Sequence, residues 1–195
     1  MREVGRRLTP DRRRSQLLDV GAAMFAAEAY EQVLMEDVAA RAGVSRALVY
    51  RYFPSKRDLF AAIFERATQR LLEASAIDPE LPFDEQVLAG LDAHLDYFAA
   101  NRRTILTVNR GALAGDPRVQ AIVSEELATL RTRVLDATDP HGRDRTVVSL
   151  ALHGWLAFIR AVCVEWLERD EVSRDDVRDM CVRALAGVLA HPAGS

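Results

Sequence analysis

The chain has 195 residues, of which 49% are apolar and 28% charged, with a net charge of -3. Such a balance belongs to a globular protein large enough to bury a sizeable core. The opening MREVGRRLTPDRRR has no apolar signal core, and the longest apolar-dominated run, Val147 to Ile159, falls short of the ~20 residues a membrane span needs, so no membrane span and a cytoplasmic location are expected. The charge is unevenly spread. Residues 1 to 57 hold 11 Lys/Arg against 7 Asp/Glu, leaving 15 against 22 for the remainder. A basic head on an acidic body can offer one end to a polyanion.

Residues 1 to 8 form a basic arm with Arg2, Arg6 and Arg7, without apolar periodicity. Thr9-Pro10-Asp11 then opens a helix through a capping hydroxyl, a proline at the first helical position and an acid near the positive end of the dipole. That helix is expected to run to about Glu28, burying Leu17, Gly21, Met24 and Phe25.

Met35 to Lys56 reads MEDVAARAGVSRALVYRYFPSK, the sequence form of a helix-turn-helix. Gly43 can end the first helix in the left-handed conformation without a Cβ penalty, and Ser45 can cap the second. A helical wheel turns Val49 and Phe53 inward and Ala47, Leu48 and Arg51 outward, flanked by Tyr50 and Tyr52. Arg46 lies nearer the core edge, with a side chain long enough to swing out, and Lys56 follows the helix. Such a face suits a major groove: Arg can pair bidentately with guanine, Ala or Leu can meet a thymine methyl, and Tyr and Lys can hold phosphates. Ser45, Arg46, Ala47, Leu48, Tyr50, Arg51, Tyr52 and Lys56 are therefore the candidate DNA-contacting residues.

Ser55 and Asp58 open a further helix of about five turns, with Leu59, Phe60, Ile63, Phe64, Ala67 and Leu71 on one stripe. Asp78-Pro79 and Pro82 break the chain after it. The body that follows carries only helical periodicity: Phe83 to Ala100, Arg103 to Ala114, a helix from Asp116-Pro117 through Val134, and a loop from about Ala137 to Arg143. Arg145 to Glu168 is apolar almost all round and needs cover on several sides. The last helix, opening at Ser173, keeps Val177, Met180, Cys181, Ala184, Leu185, Val188 and Leu189 on one stripe. Too little chain remains to cover both, so a homodimer through the last two helices, as a four-helix bundle, is expected.

The run Asp37-Val38-Ala39, Ala42-Gly43-Val44-Ser45 and Val49-Tyr50-Arg51-Tyr52-Phe53, continued by Ser55-Lys56 and Leu59, resembles the DNA-binding signature of TetR-family transcriptional regulators. The resemblance implies an all-α protein with a three-helix head, residues 1–55, and an effector-binding and dimerisation body, residues 56–195. It implies a ligand-responsive repressor that binds a double-stranded DNA operator of pseudo-palindromic sequence as a homodimer, and no enzyme. Two positions depart from the family pattern. Val33-Leu34 stands where a Ser or Thr usually caps the first motif helix and touches a phosphate, and Leu48 replaces a polar residue. These two leucines keep open an alternative, a helical small-molecule binding or adaptor protein without specific DNA binding.

The resemblance further implies a small-molecule effector cavity in the body. His94, Tyr97, Phe98, Asn109, Arg110, Trp155 and Phe158 are the aromatic or polar groups interrupting apolar stretches there, as a mostly apolar site with a few polar anchors requires. No nucleophile elbow, phosphate loop or dinucleotide fingerprint occurs, so no cofactor is expected. His94, His141, His153 and His191 have no partners at metal-ligand spacing, and no metal is expected. Cys163 and Cys181 sit in apolar helical patterns and read as buried reduced thiols.

Overall fold

The computed structural model describes residues 8–76, 80–138, 145–169 and 171–190. The basic arm of residues 1–7, Asp78-Pro79, most of the loop around His141, and His191 lie outside those residues. The described residues hold nine α-helices and no strand, as the periodicity predicts. They form two compact units, residues 1–66 and 67–195.

The first unit contains α1 (Pro10–Ala27), α2 (Met35–Ala42), α3 (Arg46–Tyr52) and the first half of α4 (Lys56–Ala74). Thr9 caps α1 through Arg12 N, with Pro10 in its first turn. The predicted stripe is buried: Leu17, Leu18, Gly21, Met24 and Phe25. At Gly21 a Cβ would come within 2.8 Å of Ile63 Cδ1, so any side chain there would have to displace the tip of Ile63 on α4. Phe60 forms the centre of an aromatic cluster, with ring centroids 5.1 Å from Phe25, 5.5 Å from Tyr30 and 6.5 Å from Phe64. The first two pairs are edge-to-face, the arrangement the ring quadrupoles favour.

The second unit takes the rest of α4 with α5 (Phe83–Ala100), α6 (Arg102–Asn109), α7 (Pro117–Ala137), α8 (Arg145–Arg169) and α9 (Arg174–Leu189). Helix α8 packs mainly against α7 and α9 and also meets α5 and α6. By length and composition it could cross a membrane, but it buries Leu152, Trp155, Leu156, Ile159, Cys163 and Val164 within the fold. Trp155 Nε1 donates to the Cys181 carbonyl at 2.9 Å, pinning α8 to α9. Asp92 on α5 accepts from Arg178 on α9 at 2.9 and 3.1 Å, and Asp96 accepts from Arg174 at 2.9 Å.

Helix α6 ends at Asn109, five residues before its expected end at Ala114. Gly111 N–H donates to the Leu106 carbonyl, and a Cβ there would sit 3.0 Å from Thr107 Cα. A side chain at this turn would press on the Thr107 backbone, which suits glycine to the close approach. Cys163 and Cys181 are buried free thiols, as expected. Burial, reinforced by Cys181, pushes Cys163 up to about 12, and burial pushes Cys181 up to about 11.

Candidate functional site

The first unit presents one helix on a fixed seat. Gly43 ends α2 at φ 65°, in the left-handed region, and its N–H reaches the Ala39 and Ala40 carbonyls. Ser45 then caps α3 by accepting from Leu48 N at 3.3 Å. Val49 is 0% and Phe53 2% exposed, so α3 is anchored by one face alone. Gln16 of α1 donates to the Ala42 carbonyl at 3.2 Å, and the Arg14 guanidinium lies 5.4 Å over the Phe53 ring. These contacts hold the turn from outside the motif.

The remaining candidate residues fall on the free side. Ser45, Arg46, Ala47 and Arg51 are exposed, and Leu48, Tyr50 and Tyr52 are half-buried. Arg46 is swung outward, paired with Glu36 at 2.9 Å and lying 5.3 Å over the Tyr50 ring. Arg51 lies 5.6 Å over the Tyr52 ring. Stacking on a phenol narrows the rotamers of a long guanidinium while leaving its donors available. Lys56 is used differently. Its Nζ donates to the Tyr30 and Glu31 carbonyls at 2.9 and 3.1 Å and lies 4.6 Å from the Tyr30 ring, so it first of all ties α4 to the α1–α2 connection.

Leu34 stands at the cap of α2 with extended backbone, φ -106° and ψ 143°, makes no side-chain cap bond and is 52% exposed. The backbone already has the geometry a capping hydroxyl uses. Leu34→Ser is therefore expected to stabilise the head by about 1 kcal/mol, seen as a raised Tm in thermal unfolding; an unchanged Tm would contradict it.

The second unit contains a cavity of about 70 Å³. Helix α5 contributes Phe83, Gln86, Val87, Gly90, Leu91 and His94, α7 Leu127, Leu130, Arg133 and Val134, and α8 Trp155, Leu156 and Ile159, with Ser75 just past α4. Of the seven residues expected around such a site, His94 and Trp155 line it. Tyr97, Phe98 and Asn109 lie with His94 around Arg160 instead. The His94 and Phe98 ring centroids are 4.3 Å apart, the Arg160 guanidinium is 5.9 Å from the Phe98 centroid, and Arg160 Nε donates to Asn109 Oδ1 at 3.0 Å. Arg110 is at the surface with Glu165 and Glu168, and Phe158 is 36% exposed.

Sequence reasoning missed Glu126. It is 3% exposed, and its Oε2 lies 3.5 Å from Arg160 Nη1. A signal existed: Val119, Val123 and Glu126 recur at helical spacing on the buried face of α7, and Arg160 interrupts the apolar run of α8. Burial raises the Glu126 carboxyl, against the pull of Arg160. Burial, helped by the Arg160 charge, pushes His94 down to about 3, so its imidazole is neutral at pH 7. Burial, with Glu126, raises the Tyr97 phenol. The Thr68 hydroxyl is near enough to oppose that rise, yet neither hydroxyl has a hydrogen-bond partner in the protein. Among the described residues no group of three His, Cys, Asp or Glu side chains could hold a metal ion.

Residues 17–63 match the model of the bacterial regulatory proteins of the tetR family. The chain is 25% identical to the transcriptional activator FasR of Mycolicibacterium smegmatis, over 96% of this chain and 87% of that one. It is 28% identical to the transcriptional repressor KstR of Mycobacterium tuberculosis, over 90% and 81% of the two chains. Its fold is similar to that of a tetR-family transcriptional regulator from Streptomyces coelicolor, with a TM-score of 0.83 at 23% identity, over 94% of this chain and 82% of that one.

Proposed function

Since the chain belongs to the TetR family of DNA-binding transcriptional regulators, we propose that it is a ligand-responsive repressor whose helix α3 reads a pseudo-palindromic operator. One observation carries this reading: α3 is seated through Val49 and Phe53 and turns Arg46, Ala47 and Arg51 to solvent. An anchored helix with stacked guanidinium groups on its free face is built to enter a major groove. Leu48, half-buried beside them, supplies apolar contact rather than a hydrogen bond.

The working unit is a homodimer through α8 and α9. Val147, Leu150 and Phe158 on α8 are 51, 72 and 36% exposed, and Met180 on α9 is 36% exposed. Apolar side chains left uncovered on two neighbouring helices are what a second copy would bury as a four-helix bundle. Two copies of α3 would then meet successive major grooves, about 34 to 36 Å apart. A small molecule in the α5–α7–α8 cavity binds one of two conformations of the dimer better, lowers operator affinity by that difference, and acts on the head through α4. The chain is similar to an activator as well as a repressor. A reporter gene behind the operator decides the sign: repression relieved by ligand is expected, and ligand-dependent activation would reverse it.

Selection of bound duplexes from a random pool tests the reading. Inverted half-sites at the helical-turn spacing are expected, and a pool that stays random would refute specific binding. On the selected site, Arg51→Ala is expected to cost about 1 to 3 kcal/mol and to relax base preference at one position. Equal losses on selected and random duplex would remove Arg51 as a base reader.

A further inference from the structure

The three helices that wall the cavity continue past it, and what they carry there differs from the wall. On α5 the last lining residue is His94, and Tyr97 and Phe98 follow within four positions. On α7 the first lining residue is Leu127, and Glu126 immediately precedes it. On α8 the last is Ile159, and Arg160 immediately follows. All three extensions converge, since Arg160 reaches both Glu126 and the Phe98 ring. Phe83 and Val134 mark the opposite end of the lining. The cavity thus has mainly apolar sides, with His94 at one end and Gln86 and Arg133 beside Phe83 and Val134 at the other.

The His94 end has unused hydrogen-bonding capacity. His94 is 8% exposed and lines the cavity, and its Nε2 has no partner. Behind it the Tyr97 hydroxyl, Glu126 Oε1 and both terminal nitrogens of Arg160 are buried without hydrogen bonds. Donors and acceptors are mixed in this set, and buried groups of either kind gain free energy from a partner. The charge there is already balanced, because Glu126 and Arg160 lie 3.5 Å apart. An arriving carboxylate would shed its hydration against His94 and feel the Glu126 charge behind it as well as that of Arg160. A hydroxyl or carbonyl can bond to His94 without burying a new charge.

We propose that the His94 end of the cavity holds an uncharged hydrogen-bonding group of the effector, a hydroxyl, carbonyl or amide, and that the Glu126–Arg160 pair behind His94 excludes carboxylates from that end. This rests on the reading of the cavity as the effector site. Size alone does not discriminate between an alcohol and an acid of one chain length; the balanced pair does. Glu126 is therefore a specificity-determining residue, and neutralising it leaves Arg160 free to attract an anion.

The test is titration of the full chain with 1-decanol and with decanoate at pH 7, with Arg133→Met in every protein, the parent included, so that no guanidinium remains at the far end, read by the fluorescence of Trp155, which lines the cavity. The parent is expected to favour decanol at least tenfold. In Glu126→Gln the ratio should shift at least tenfold toward decanoate. In Glu126→Gln/Arg160→Met, which buries no net charge, the parent order should return. His94→Phe, which leaves both members of the ion pair in place, should narrow the decanol preference several-fold. A cavity that merely favours apolar molecules would also prefer decanol, but its ratio would not respond to Glu126 or His94. An unchanged ratio across the variants, or a preference of the parent for decanoate, overturns the proposal and leaves the effector reading standing. If neither probe changes the fluorescence and neither releases operator DNA, the effector reading fails and the proposal falls with it.

Discussion

Phe60→Ala is expected to destabilise the DNA-binding head by about 3 to 5 kcal/mol and to abolish specific binding at temperatures where the wild type is fully folded. Phe60 is 2% exposed and has Phe25, Tyr30 and Phe64 around its ring. Truncation removes the ring's transfer free energy and leaves a hole that three aromatic neighbours on two helices and a loop are poorly placed to fill. It also frees Tyr30, whose carbonyl and ring hold Lys56. The effect should spread from the core to the connection that positions α2. Urea unfolding of wild type and variant, beside DNA binding by each, measures both consequences. A loss below about 1 kcal/mol would contradict the packing described for this cluster.

Glu126→Gln is expected to cost the body about 3 to 5 kcal/mol at neutral pH, although the side chain keeps its shape. The reason is Arg160, which is 9% exposed and would remain buried without its carboxylate. Asn109 still accepts from its Nε, but an amide oxygen does not neutralise a guanidinium. The companion variant Glu126→Gln/Arg160→Met should recover most of the loss, because no charge is then left unpaired. Comparing the two by chemical denaturation isolates the pair from the packing around it. A small loss in the single variant would show that Arg160 does not depend on Glu126. The ligand titration of the single variant is read beside its unfolding curve, since a wild type near the low end of the usual range of about 5 to 15 kcal/mol would leave it partly unfolded.

The head was legible in the sequence because each of its local features points the same way. Gly43 supplies a left-handed turn, Ser45 a cap, and Val49 and Phe53 share one face of a short helix; all three are as expected. These are short-range properties that need no knowledge of the partner elements. The body's helices were legible for the same reason, with Leu91, Leu95 and Phe98 buried as the periodicity of α5 requires. What the sequence left open depends on contacts between distant residues. Lys56 donates to carbonyls 25 and 26 positions away, a contact that no pattern local to the end of α3 signals. Glu126 and Arg160 are 34 positions apart, and only their meeting makes the burial of either tolerable. Arg110 and Phe158 carry the polar and aromatic character expected of cavity residues, yet Arg110, just past α6, lies at the surface and α8 turns Phe158 outward. Residue type narrowed the candidates; helix rotation chose among them.

The most direct measurement is the anisotropy of labelled duplex from the DNA flanking the protein's own gene, titrated with the full chain at several salt concentrations beside a random duplex of equal length. Tight binding that prefers the flanking duplex is expected, weakening with salt along a log-log slope that reflects several phosphates per dimer. Binding equal on both duplexes, here and on sites selected from random sequence, would contradict sequence reading by α3 and favour a helical ligand-binding protein without specific DNA recognition.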